Sequence, residues 1–281
     1  MKELSVSTGN STGRQVTRSV PFALAPVIEA LEFEEAFLVT TDRLDELRLE
    51  AGIKSSTAMV AKRLRDRGWL LETPQRGVWE FAPGSHAGPI SRGQPFTDVL
   101  AVLEANPELQ AGISLSSALW AHGLLDRSPD KPEVAIPVGR EAPAPLKRAA
   151  RTVNFDWVLP LVTKKGAPVH ALETILVHLA ARPTAVRSWS AVLEALPDVV
   201  AEVDHADVRK EVSGRPAAVA TRLAYLVHGL SPDLAVAVKP QDHGKVWFGP
   251  RGPLKRHNSE FNIADTVLPV NPAILNDQWA A

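Results

Sequence analysis

The sequence predicts an α+β fold in two domains, a small helical one closed by a β-hairpin and a larger mixed α/β one. Three observations lead there. A length of 281 residues exceeds one ordinary domain and suits two. Hydrophobic spacing alternates between helix and strand periods along the chain. Pro83, Gly84, Gly88, Pro89 and Gly93 crowd one stretch that reads as a linker over residues 83–94. Hydrophobic residues at 45% and charged residues at 22% exclude a disordered chain, a coiled coil and a fibre. No apolar run approaches the ~18 residues of a membrane helix. The polar start Met1 to Thr8 shows no secretory h-region, so a cytoplasmic protein without membrane contact is expected. With no cysteine there is no disulfide, thiolate metal site or cysteine nucleophile.

Residues 1–19 are rich in Ser, Thr, Gly and Asn and read as a flexible arm. Pro21 suits the first turn of a helix that carries Ala23, Leu24, Val27, Ile28 and Leu31 at helical spacing. Ala36 to Thr40 is a short β-prone run. Thr41 is the expected N-cap of a second helix, with Asp42 and Asp45 near its positive end and Gly52 as its stop. Ser55 or Ser56 caps a third helix, which ends at Gly68. Trp69 to Glu72 and Val78 to Phe81 are strands joined by the turn Thr73-Pro74-Gln75-Arg76-Gly77. Helix, strand, helix, tight turn, helix, hairpin is the order of a winged helix-turn-helix, expected over residues 20–82.

The second domain is expected over 95–281. Helices are predicted at 96–105, 115–122, 172–181, 190–196, 206–212 and 216–229. Val153, Phe155, Trp157 and Leu159 alternate with their neighbours as one strand. Glu133 to Val138 is a second strand, and Val246 to Phe248 and Asn262 to Ala264 are short ones. Arg251, Lys255, Arg256 and His257 read as a basic loop.

A net charge of −1 hides an asymmetry in the first domain. Residues 20–53 carry Arg43 and Arg48 against Glu29, Glu32, Glu34, Glu35, Asp42, Asp45, Glu46 and Glu50. Residues 54–76 carry Lys54, Lys62, Arg63, Arg65, Arg67 and Arg76 against Asp66 and Glu72. Such a division points one face at a polyanion. On a helical wheel Thr57, Val60, Ala61 and Leu64 face the core. Met59, Lys62 and Asp66 point outward, with Arg63 and Arg65 on the flanks. Ser55, Ser56, Met59, Lys62 and Arg63 are therefore placed to enter a major groove. Gln75 and Arg76 at the hairpin tip suit a phosphate or a minor groove. Arg14, Arg18, Arg251, Lys255 and Arg256 are auxiliary candidates. The expected partner is double-stranded DNA, with two copies on an inverted repeat.

Lys62-Arg63-Leu64-Arg65-Asp66-Arg67-Gly68-Trp69-Leu70 and Arg76-Gly77-Val78-Trp79-Glu80-Phe81-Ala82-Pro83 resemble the end of the winged helix in AbiEi-type antitoxins. Ser114 to Leu124 and Val169 to Thr174 continue the likeness into the second domain. The resemblance implies an antitoxin of a type IV toxin–antitoxin or abortive-infection pair. It implies an N-terminal domain that represses its own operon at inverted repeats, and a C-terminal domain that counters a nucleotidyltransferase-like toxin. Direct binding of that toxin and antagonism without contact both stay open. The alternatives are a free-standing repressor with a ligand-sensing or dimerising second domain, and a nuclease.

His170 and His178 on one helix stand ~12 Å apart along its axis, too far for one metal ion. Ser116, Ser117 and His122 lack a nucleophile elbow. Asp156 has no partner carboxylates of the kind a metal-dependent nuclease needs. No cofactor, metal or catalytic set is expected, and an enzyme is not.

Overall fold

The computed structural model describes residues 19–86, 88–242 and 244–276. Its contacts divide the chain into two compact units, Met1–Thr97 and Asp98–Ala281. In the first, a 3-10 turn at Phe22–Leu24 leads into α1 (Ala25–Phe33), whose Val27, Ile28 and Leu31 are buried. β1 (Leu38–Thr40), α2 (Thr41–Glu50), α3 (Thr57–Asp66), β2 (Leu70–Glu72) and β3 (Val78–Phe81) follow. The sheet order is β1-β3-β2, and both pairings are antiparallel. This is the element order expected of a winged helix-turn-helix, with the β2–β3 hairpin in the place of the wing. Leu44 and Leu47 of α2 and Val60, Ala61 and Leu64 of α3 close the core over Trp69 and Phe81.

One cap differs from expectation. Thr40, not Thr41, caps α2, its hydroxyl accepting from Arg43 N at 3.2 Å. Thr41 instead donates its N–H and its hydroxyl to the Gly77 carbonyl, at 2.8 and 3.1 Å. The start of α2 is thereby clamped to the wing turn.

The described residues of 83–94 hold no helix or strand, yet they belong to the first unit. The buried Glu80 carboxylate accepts from Ser91 Oγ at 2.9 Å and Arg92 N at 2.7 Å. The Arg92 guanidinium donates to the Glu35 and Ala36 carbonyls.

The second unit begins with α4 (Thr97–Glu104), β4 (Gly112–Ile113), α5 (Leu115–His122), β5 (Glu133–Ile136), α6 (Ala144–Ala149) and β6 (Arg151–Asn154). β7 (Val162–Lys164), β8 (Ala167–Val169), α7 (Leu172–Ala181), α8 (Trp189–Glu202) and α9 (His205–Val212) come next. It ends with α10 (Ala217–Val227), α11 (Pro232–Val238), β9 (Val246–Phe248), β10 (Arg256–Asn258) and β11 (Ile263–Asp265). A mixed sheet runs β6-β5-β4-β8-β7 and a smaller one β10-β11-β9.

The strand expected through Leu159 stops at Asn154. Burial still alternates, with Phe155 and Leu159 inside, but after Phe155, whose N–H still reaches the Ile136 carbonyl, the Val158 and Leu159 donors go to a side chain instead of a ladder. The fully buried Glu211 of α9 accepts from Val158 N and Leu159 N at 3.0 Å each, and its other oxygen pairs with Arg215 at 2.6 Å. Helix α8 is longer than predicted and continues through Pro197, because Val199 and Val200 beyond it are buried. Residues 256–258, expected in a loop, form β10.

His170 lies just before α7, Thr174 and His178 lie within it, and all three are fully buried, so the two histidines do not share one helix as the sequence suggested. His178 Nδ1 lies 2.7 Å from Ser114 Oγ, and its ring stacks on Phe155 at 3.9 Å. Trp157 presents an edge contact to His170 at 4.6 Å. Burial pushes His170 down to about 3 and His178 well below its ordinary value. Ser117 Oγ accepts from Glu133 N, and the His122 ring meets the His170 carbonyl, so these two groups serve the packing and do not face each other.

Candidate nucleic-acid interface

The helix-turn-helix is fixed by polar contacts around its turn. Gly52, with φ of 65°, reverses the chain after α2. Asp45 then takes Arg48 Nε at 2.8 Å and the Thr57 hydroxyl, while Arg48 Nη1 reaches back to the Ile53 carbonyl at 2.9 Å. Arg48 first, and Thr57 second, hold the Asp45 carboxyl below its usual value. Thr57, expected in the core stripe, lies at the rim for this reason. Ser56 caps α3, its hydroxyl accepting from Met59 N at 3.4 Å.

On the far side of α3, Lys62 and Arg63 are exposed, and Met59 is 44% exposed. Neither Lys62 nor Arg63 forms an ion pair with a described residue. Ser55, half-buried, stands in the turn just before them. In the acidic block, by contrast, Arg43 is engaged by both Glu34 and Glu46. The structure thus leaves cations free on α3 and ties up those of the acidic block.

The wing is a stiff turn. Thr73 Oγ1 donates to the Val78 carbonyl at 2.8 Å and accepts from Gln75 N at 3.2 Å. Gly77 holds φ of 82°, where a Cβ would stand 2.8 Å from Thr41 Oγ1. Gln75 is half-buried and Arg76 exposed at the tip. Between α3 and the wing lies an open groove of about 780 Å³. Arg65, which the wheel placed only on a flank, reaches across it to Glu72 at 2.5 Å. A basic residue in α3 and an acidic one seven positions later, just after the Gly68 reversal, was the signal available in the sequence.

The auxiliary candidates divide. Arg14 and Arg18 lie outside the described residues. Arg251 is exposed and Lys255 donates to the Val267 carbonyl at 2.7 Å. Arg256 turns inward to the buried Asp265 at 3.3 Å and the Leu268 carbonyl at 2.8 Å, so its guanidinium holds the small sheet together and is withdrawn as a phosphate contact.

Residues 110–229 match the family model of the AbiEi antitoxin C-terminal domain. That span runs from β4 to the end of α10. The whole chain is similar in fold to a solved structure described as "Crystal structure of RV2827C protein from Mycobacterium tuberculosis". The TM-score is 0.79 at 22% identity, over 94% of this chain and 97% of that one. No curated protein matches the chain. No helix among the described residues is long and apolar enough to cross a membrane.

Proposed function

We propose, from the match of residues 110–229 to the AbiEi antitoxin C-terminal domain, that the chain is a DNA-binding antitoxin that represses its own operon. The second unit has a place in a toxin–antitoxin pair, and its proposed partner is a nucleotidyltransferase-like toxin. The first unit binds duplex DNA through α3 and the wing. One observation carries the DNA reading: Lys62, Arg63 and Arg76 stand exposed and without ion pairs to described residues, on the helix and the turn that a winged helix-turn-helix presents to DNA.

In this reading Met59, Lys62 and Arg63 meet base edges, because they project outward in the first half of α3 and just beyond it. Ser55 and Ser56 lie beside the α3 N-terminus, whose N–H groups favour a phosphate. Gln75 and Arg76 hold the flanking backbone. A single winged helix covers one half-site, so two copies on an inverted repeat supply the affinity.

The purified chain should retard a duplex of its own promoter and not a scrambled one, with affinity falling steeply as salt rises. Arg63→Ala or Lys62→Ala should cost about 1–3 kcal/mol and relax preference at one position. Arg76→Ala should weaken all sequences alike and lower the salt slope by about one. Equal retention of both duplexes would defeat the proposal. On the antitoxin side, co-expression of residues 98–281 with a nucleotidyltransferase-like toxin encoded beside it should restore growth without repressing the promoter, and a neighbouring frame of another kind would count against the antitoxin reading. Rescue by the first unit alone would assign neutralisation to the wrong half.

A further inference from the structure

Arg65 stands in the groove between α3 and the wing with most of its hydrogen-bonding capacity unused. Ala58 and Ala61 are small and leave the groove open on the helix side. Arg65 Nη1 meets Glu72 at 2.5 Å. Its Nε is buried and has no partner, and no hydrogen bond engages Nη2 among the described residues. A guanidinium carries five N–H donors in a planar fork. Here one is spent, on a carboxylate whose side chain is 77% exposed.

The wing closes the other wall. Gln75 and Arg76 line it, and Glu72 is the carboxylate among the lining residues. The groove therefore holds two arginines and one detachable anion. An exposed ion pair contributes little to stability, so Arg65 can change partner at small cost.

Building on the DNA-binding reading above, we propose that this groove is a seat for one backbone phosphodiester, gripped by Arg65 and Arg76, and that Glu72 is the built-in counterion the phosphate displaces. Without DNA, Glu72 holds the Arg65 fork in the groove and neutralises it. A phosphate entering the groove offers two acceptor oxygens to a fork that now satisfies one. Glu72 then weakens binding on every sequence alike, since it repels the phosphate and competes for Arg65, while base preference stays with Met59, Lys62 and Arg63. It is a brake on affinity that leaves specificity untouched.

The two halves of the pair give the test its edge, because removing either one breaks the same ion pair. The full-length chain is titrated on its promoter duplex and on a scrambled one, across a salt series. Glu72→Gln should bind both about three- to tenfold tighter and steepen the salt slope by about one unit. Arg65→Ala should weaken both and flatten the slope by about one unit. Arg65→Lys, which keeps the charge and loses the fork, should recover the slope but only part of the affinity. A purely structural pair predicts instead that Glu72→Gln and Arg65→Ala weaken binding together, in step with any fall in melting temperature, and that outcome overturns the proposal. So does unchanged affinity in both variants while the wild type still shifts its promoter. Failure of the wild type to shift any duplex would fall on the DNA-binding reading itself.

Discussion

His170 and His178 are neutral in the fold because burial excludes the charged form, and an unfolded chain imposes no such exclusion. An unfolded histidine titrates near 6.5, whereas folded His170 is held at about 3 and His178 well below its ordinary value. Both contribute stability that is fully present above pH 6.5 and is lost as the pH falls below it, since only the unfolded state then gains protons. For His170 the loss between pH 7 and pH 5 should be about 2 kcal/mol, and His178 adds to it in the same direction. Chemical denaturation at the two pH values measures it. His170→Leu should remove the His170 share of that dependence and leave the pH slope shallower. Both ring nitrogens of His170 lack partners, so no hydrogen bond is lost with it. An unchanged pH slope in that variant would count against the argument. At this scale the sequence was readable where a choice was local. The outward set Met59, Lys62 and Asp66 follows from helix spacing alone, and the cap was narrowed to Ser55 or Ser56, of which the structure uses Ser56. The choice between Thr40 and Thr41 did not, because it depends on a carbonyl 36 residues away at Gly77.

Elements were legible when their own side chains fixed them. Helices α5 and α7 stand at Leu115–His122 and Leu172–Ala181, as their apolar spacing predicts. The stretch from Phe155 to Leu159 failed for the opposite reason. Its alternation correctly marks an inside and an outside, but strand or loop is decided by what accepts its N–H groups. That acceptor is Glu211, more than 50 residues later, a polar residue on a helix whose sequence gives no sign of burial. Glu211→Ala should therefore destabilise the second unit by about 3–5 kcal/mol, leaving Arg215 and two backbone donors unpaired. Thermal melting of residues 98–281 would register it. Little change would mean that solvent replaces the carboxylate, and that the segment is less enclosed than its burial indicates.

Across the molecule, the mixed α+β class and the order of helices and hairpin in residues 20–82 were legible in the sequence. The boundary was less so. Proline and glycine marked residues 83–94 as a connector, but composition cannot report that Ser91 and Arg92 turn back to satisfy Glu80, which is 4% exposed. A fragment of residues 19–97 should accordingly be more stable than one of 19–82 by about 2 kcal/mol, since the shorter piece strands a buried carboxylate. Urea titrations of the two fragments decide it. Equal midpoints would return residues 83–94 to the role of a plain tether.

The clamp of Thr41 on Gly77 also bears on how this surface can diverge among descendants. One end of the wing turn is bound to α2 through a single carbonyl, and a methyl group at position 77 would press against Thr41 Oγ1. Positions 41 and 77 can drift only as a couple. The tip residues Gln75 and Arg76 carry no such obligation, and their side chains contribute nothing to the clamp. Variation in a lineage should accordingly gather at the tip and spare its hinge, so that the wing acquires new contacts while its aim is inherited.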